Sequence, residues 1–174
     1  VKNPHAIWYT PVSGIWQTVW LEPVSSKYIS NVVSVADIDN KNLKVKVGTQ
    51  NTTSSDVVQI VLKEQNTIVA MTKGVVGETL ELALADVKLW SPESPFLYDL
   101  EVTLLDKGKK TDKVKSYAAM RKISMHKDKD GIMRMQLNNK DCFQFGPLDQ
   151  GWWPDGLYTA PTDEALAYDI EKTK

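Results

Sequence analysis

Apolar and polar residues alternate along most of the chain between residues 18 and 125. The runs NLKVKVG, TLELALA and LYDLEVTLL each place every second side chain on one face, and the first of them sets Leu43, Val45 and Val47 opposite lysines. A period of two is that of a β-strand with one buried face, whereas a helix repeats every 3.6 residues. The chain is therefore predicted to consist mainly of strands around a core.

Short polar clusters such as AspAsnLysAsn and AsnThrThrSerSer separate these runs at the spacing of turns. The candidate strands lie near residues 18–24, 28–37, 43–50, 57–64, 67–71, 79–86, 97–105 and 112–125. Seven or eight strands joined by short turns are typical of a β-sandwich. The predicted fold class is all-β, an immunoglobulin-like or fibronectin-like sandwich with a short C-terminal helical extension.

Composition narrows the functional classes. The 174 residues are 42% hydrophobic and 25% charged with a net charge of -1, which is ordinary for one globular domain and does not favour nucleic acid as a partner. No apolar run approaches the roughly 18 residues of a membrane span, so membrane insertion is not predicted. The single cysteine, Cys142, excludes an intrachain disulfide and a multi-cysteine zinc site.

The chain contains none of the short local motifs that bind cofactors or metals. There is no phosphate-binding glycine loop, nucleophile elbow or His-Glu-x-x-His helix, so no cofactor and no metal are predicted. The run from Asp128 to Gly131 resembles the start of a calcium loop, but the later acidic ligands do not follow. It is interpreted as a hairpin turn, and His126 beside it as a solvated side chain.

Two stretches carry structural signals beyond the alternation. In WSPESPFLY, two prolines fix a corner, Trp90 is predicted to be a buried plug, and the hydroxyl of Tyr98 is placed to bond back to the corner. Further on, a hairpin is predicted around Asn138-Asn139. A helix is predicted to begin after Thr162 as N-cap, and its apolar stripe of Leu166 and Ile170 needs a neighbour to cover it.

The loop GPLDQGWWPDGLYTAP holds the candidate site. Tryptophan and tyrosine rings stack against sugar rings, and carboxylates and amides bind hydroxyls. The residues assigned to substrate binding are Asp149, Gln150, Trp152, Trp153, Asp155 and Tyr158. Two alternatives stay open: the tryptophans pack the loop against a neighbouring domain, or the chain is a stand-alone carbohydrate-binding or structural sandwich.

Several motifs in order along the chain resemble glycoside hydrolase family 2, the group of β-galactosidases, β-glucuronidases and β-mannosidases. YTPVSGIWQTVWLEPV resembles the last strand of that family's N-terminal jelly-roll domain, and LWSPESPFLYDLEV and SYAAMRKI resemble its immunoglobulin-like middle domain. LNNKDCFQFGPLDQG and TDEALAYDIEKTK resemble the first strand and first helix of its catalytic (β/α)8 barrel. The resemblance implies three parts, at residues 1–24, 25–126 and 127–174.

The resemblance also implies an activity for a larger parent protein. Family members are retaining glycosidases whose two glutamates follow later barrel strands, so this chain is expected to be a non-catalytic fragment with no catalytic residue of its own. It implies a carbohydrate substrate for the parent. Because a fragment would have lost the domains that cover its ends, the end segments are expected to lie against the sandwich or against a neighbouring copy. The sequence leaves the compartment open, with a periplasmic or secreted parent as one alternative. Many members carry Asn-Arg-His where this chain has Leu148, Asp149 and Gln150, so the resemblance does not assign it the familiar galactosidase or glucuronidase specificity.

Overall fold

The computed structural model describes residues 3–15 and 17–174. Its elements, in chain order, are β1 (Tyr28–Asp37), β2 (Asn42–Gln50), β3 (Val57–Glu64), β4 (Thr67–Val75), β5 (Thr79–Ala83), β6 (Tyr98–Asp106), β7 (Lys109–Ala118), β8 (Ile123–Lys127), β9 (Met133–Leu137), β10 (Lys140–Asp141) and α1 (Asp163–Thr173). The chain divides into two compact units. One is formed by the described residues among the first 22 together with Gln144–Lys174, and the other is Pro23–Phe143.

The second unit is a β-sandwich, as the alternation predicts. One sheet has the strand order β1-β2-β5 and the other β4-β3-β6-β7, with every neighbouring pair antiparallel. Strand β4 lies beside β3, whereas in a constant-type immunoglobulin domain the fourth strand joins the sheet of the first two. The fold class is thus an all-β, immunoglobulin-like sandwich with a short C-terminal helix.

Side chains from both sheets form one core between them. The residues predicted to face inward on β2 and β6 are the buried ones, because alternate positions of a strand point to opposite faces. The most deeply buried side chains of the cluster are Leu43, Val45, Ile60, Leu62, Leu82, Tyr98, Leu100, Val102, Leu104 and Met120. All the buried apolar residues of the described chain belong to the unit Pro23–Phe143.

The corner before β6 matches its prediction at Tyr98 and corrects it at Trp90. Tyr98 is 1% exposed and its hydroxyl accepts a hydrogen bond from the backbone N–H of Lys88 at 2.8 Å. Trp90 is only half-buried, with the guanidinium carbon of Arg121 4.8 Å from its ring centroid. Because a charged group needs access to water, Trp90 cannot be the closed apolar plug that the sequence suggested.

A third sheet, of order β10-β9-β8, continues from the sandwich. Asn138 and Asn139 both have positive φ, 52° and 63°, as the predicted two-residue hairpin turn requires. The Asn138 amide accepts from the N–H of Lys122 at 3.0 Å and donates to the carbonyl of Trp90 at 2.9 Å. These two bonds fasten the hairpin to the WSPESPFLY corner.

A buried carboxylate, that of Asp56, binds the segment that leads into β1. Asp56 is 0% exposed, and Lys27 Nζ lies 2.9 Å from both of its oxygens. Its second oxygen also accepts from the N–H of Thr53 at 2.6 Å. The hydrogen bonds from Lys27 and then Thr53 lower the pKa of Asp56 to about 2.

Two strand predictions are wrong. In the described part of residues 18–24 there is no strand, although the stretch alternates, because alternation yields a strand only where a neighbour completes the hydrogen-bond ladder. The predicted strand at 112–125 is two strands, β7 and β8, separated by a bridge between Leu89 and Met120. No helix among the described residues is long and apolar enough to span a bilayer.

Candidate functional site

The loop that carries the predicted site is a series of tight turns. Trp153 and Leu157 exchange backbone hydrogen bonds of 2.8 and 3.1 Å, and the N–H of Thr159 bonds the carbonyl of Gly156 at 2.9 Å. A Cβ added at Gly156 would lie 1.9 Å from the carbonyl oxygen of Thr159. Only glycine therefore permits this close backbone approach.

The two aspartates of the loop serve its turns. Asp149 Oδ1 accepts from the N–H of Gly151 at 2.8 Å, and Asp155 Oδ1 accepts from the N–H of Gly156 at 2.9 Å. Short side chains that bond the following backbone are typical of turns. Both aspartates are exposed, so each retains a second carboxylate oxygen at the surface.

An aromatic cluster forms around Trp152. The ring of Tyr9 stacks on it with centroids 4.6 Å apart and an interplanar angle of 11°, and Tyr158 meets it edge-on at 5.2 Å and 82°. The hydroxyl of Tyr9 donates to the Oε1 of Gln150. This contact occupies the amide oxygen of Gln150, and the amide nitrogen of the same side chain is a hydrogen-bond donor.

The structure thus brings together three of the six predicted residues: Gln150, Trp152 and Tyr158. Trp152 and Trp153 are half-buried, and one face of Trp152 is covered by Tyr9, so the pair does not form an open stacking platform. Sequence reasoning missed Tyr9, which lies 141 positions from its partner Gln150. No local pattern around Tyr9 signals that contact.

A cavity of about 610 Å³ lies beside this cluster. Its walls are two short segments, residues 12–15 and 156–159, so Tyr158 belongs both to the aromatic cluster and to the cavity. A second depression, of about 580 Å³, adjoins it and shares Ile15 and Thr159. The volume falls within the roughly 300–1,000 Å³ of small-molecule sites.

The helix that follows begins as predicted, and the described chain leaves its apolar stripe exposed. The side chain of Thr162 accepts from the N–H of Ala165 at 3.1 Å, and Asp163 and Glu164 occupy the first turn. Leu166 is 48% exposed and Ile170 69%, and α1 has no buried residue. The described chain by itself leaves this apolar stripe uncovered, and its burial against a second copy stays a prediction.

The charged turn at residues 127–132 is a hairpin turn, as interpreted. Asp128 Oδ1 accepts from the N–H groups of Asp130 and Ile132, both at 2.9 Å, and its other oxygen binds Arg134 at 2.8 Å. Arg134 and then the N–H of Ile132 lower the pKa of Asp128. His126 is half-buried and not simply solvated, since its Nε2 lies 2.6 Å from Asp141. Among residues 3–15 and 17–174, no three His, Cys, Asp or Glu side chains are grouped to hold a metal.

Two curated proteins are similar to this chain in sequence. The chain is 25% identical over 172 residues to a β-galactosidase of Lactococcus lactis, covering 94% of this chain and 16% of that protein. It is 27% identical over 128 residues to a putative β-glucuronidase of Formosa agariphila, covering 62% of this chain and 14% of the relative. The chain therefore spans about one sixth of the length of these curated relatives.

Solved structures share the fold. A β-glucuronidase from Ruminococcus gnavus in complex with D-glucaro-d-lactam aligns with a TM-score of 0.72 and 16% identity, over 86% of this chain and 24% of that one. The same protein with a C6-substituted uronic isofagomine aligns with a TM-score of 0.71 over 84% of this chain. The family model for glycosyl hydrolases family 2 matches residues 20–121, more than half of the chain. The chain therefore belongs to glycosyl hydrolases family 2.

Proposed function

We propose that the polypeptide to which these residues belong hydrolyses the O-glycosidic bonds of β-linked sugars by a retaining, two-carboxylate mechanism. Family membership and the two glycosidase relatives support this proposal. In that mechanism one carboxylic acid protonates the leaving oxygen, and a second carboxylate about 5 to 5.5 Å away attacks the anomeric carbon. We assign neither carboxylate to these 174 residues, whose role is to support the site and contact the sugar.

The observation that carries the proposal for this chain is the loop of Trp152 and Tyr158 with its hydrogen-bonding neighbours. The proposed substrate contacts are Asp149, Gln150, Trp152, Trp153, Asp155 and Tyr158. The carboxylate oxygens of Asp149 and Asp155 would accept hydrogen bonds from sugar hydroxyls. The amide nitrogen of Gln150, whose oxygen is bonded to Tyr9, would donate to the oxygen of a sugar hydroxyl. Because Tyr9 covers one face of Trp152, apolar contact with a sugar ring falls mainly to the half-exposed Tyr158.

The proposed organisation follows the family order. Residues 1–24 would end a jelly-roll sugar-binding domain, residues 25–126 form the immunoglobulin-like domain, and residues 127–174 begin the catalytic barrel. In such barrels, the loops that follow the strands line the active site. The loop from Asp149 to Tyr158 would be the first of them.

A comparison of two proteins tests the proposal. The 174 residues alone are expected to give no turnover of chromogenic β-glycosides, whereas the protein encoded by the whole reading frame is expected to hydrolyse at least one. Proton NMR of the first-formed product should show the β-configuration retained. Turnover by the purified 174 residues, with contaminating hydrolase excluded, or an inverted product would contradict the proposal.

A further inference from the structure

The cavity between residues 12–15 and 156–159 has one wall that is held by several independent contacts. The backbone pair of Trp153 and Leu157 closes the loop, and Gly156 lets it fold tightly onto Thr159. Tyr158 is braced against Trp152, which is in turn stacked by Tyr9. A wall fixed before a ligand arrives loses little conformational entropy on binding.

The lining of this cavity alternates between apolar and hydroxyl groups. Val12, Ile15 and Leu157 present hydrocarbon, and the side chains of Ser13, Tyr158 and Thr159 each carry a hydroxyl. A hydroxyl both donates and accepts hydrogen bonds, so it pairs with a sugar hydroxyl in either direction. Hydrocarbon patches suit the C–H faces of a pyranose ring. The cavity thus presents the two kinds of surface that a sugar has.

The distribution of charge in and around the cavity favours an uncharged ligand over an anionic one. None of the described residues that line it, or the adjoining depression, is charged. Residues 8–21 contain no Lys, Arg or His, and residues 146–162 contain only Asp149 and Asp155 as charged groups. Most of the lining is solvent-exposed, so a ligand carboxylate would stay hydrated, but it would meet no cationic side chain among the lining residues, and two aspartates lie in the same loop.

We propose that this cavity is a binding site for an uncharged glycosyl unit, built jointly by the N-terminal segment and the aromatic loop, and that it discriminates against a uronic acid. The inference rests on the proposed function and adds to it both the contribution of residues 12–15 and the class of sugar. The two curated relatives are named for a neutral and an acidic sugar, and the charge of this cavity favours the neutral one.

Two ligands that differ only at C6 test the selectivity. Ligand-observed NMR titrations of the 174-residue chain would compare methyl β-D-glucopyranoside with methyl β-D-glucopyranosiduronate at pH 7. The uronate is expected to bind at least about threefold more weakly, because the two loop aspartates repel its carboxylate and no cationic side chain of the lining pairs with it. Equal binding of the two ligands, or tighter binding of the uronate, would overturn the inference.

Two matched substitutions in the N-terminal segment test the location. Ser13→Trp places a large side chain in the cavity and is expected to reduce affinity for the neutral glycoside at least tenfold. Thr10→Trp adds the same side chain to an exposed position that does not line the cavity, and should leave affinity unchanged. Circular dichroism of both variants checks that the sandwich remains folded.

A third variant separates this inference from the proposed function. Gln150→Ala removes an exposed loop side chain that is assigned to sugar contact but does not line the cavity. If Gln150→Ala abolishes binding while Ser13→Trp does not, the loop binds sugar and the cavity inference is wrong. If the unaltered chain binds neither glycoside, both the cavity site and the sugar-binding role of the loop are wrong.

Discussion

At the scale of single residues, Tyr98 shows how one hydroxyl fixes a corner. Its ring is buried and its oxygen bonds the N–H of Lys88, which would otherwise have no partner there. Tyr98→Phe should lower the free energy of unfolding by about 1–2 kcal/mol, since it leaves a half-buried donor unsatisfied. Denaturant titration measures this loss. The matched change Tyr117→Phe, at an exposed tyrosine, should stay within about 0.5 kcal/mol.

Asp56 makes the free energy of unfolding of the sandwich depend on pH. Its pKa falls from an ordinary 3.8 to about 2 in the folded chain, chiefly through Lys27, so the unfolded state takes up a proton at higher pH than the folded state. Its contribution is therefore complete above pH about 4 and is lost as the pH falls through about 2. Glu101, whose pKa is also lowered to about 2 by Lys113 and then Lys63, acts in the same direction.

Asp56→Asn tests this dependence. The variant should be less stable than the parent at pH 7, and the difference should shrink between pH 4 and pH 2, as measured by thermal unfolding at each pH. Asp99→Asn, at an exposed aspartate, is the control and should leave the profile unchanged. A constant difference between the Asp56→Asn and parent curves across this range would show that Asp56 does not titrate as described.

At the scale of elements, the hairpin of β9 and β10 depends on Asn138. Asn138→Ala removes two side-chain hydrogen bonds and forces alanine into a left-handed conformation, so local unfolding of the hairpin should become easier by about 1–3 kcal/mol. Amide hydrogen exchange in β9, compared with β6, measures this change. Asn139→Gly is the control: glycine suits the second position of the turn, so protection should be kept. Unchanged exchange in Asn138→Ala would contradict the fastening role.

At the scale of the whole molecule, protection against hydrogen exchange should be uneven. Strands β2, β3 and β6 contribute many of the buried side chains of the core, whereas none of the 11 residues of α1 is buried. An isolated helix of that length is marginal in water, so its amides should exchange orders of magnitude faster than those of β6. Protection of α1 that rises with protein concentration would instead support the expected pairing of copies through the end segments.

The sequence by itself determined the sandwich, because its information is local. Alternation along β2, β5 and β6 decides which side chains face the core, since a strand exposes opposite faces at successive residues. The Asn138-Asn139 turn, the Thr162 cap and the Tyr98 corner were equally readable, because each depends on residues within about a dozen positions of one another. The aromatic loop was found from its composition for the same reason.

Only the tertiary structure decided which residues meet across the chain. Tyr9 stacks on Trp152, and residues 12–15 complete a cavity with residues 156–159, although neither stretch carries a signal for the other. The alternating stretch at 18–24 is not a strand and the Leu166/Ile170 stripe is not covered, because hydrogen-bond partners and apolar cover are supplied by distant residues. A sequence pattern shows which side chains of a segment are apolar enough to be buried. Whether they are buried depends on the distant residues that the fold brings against them.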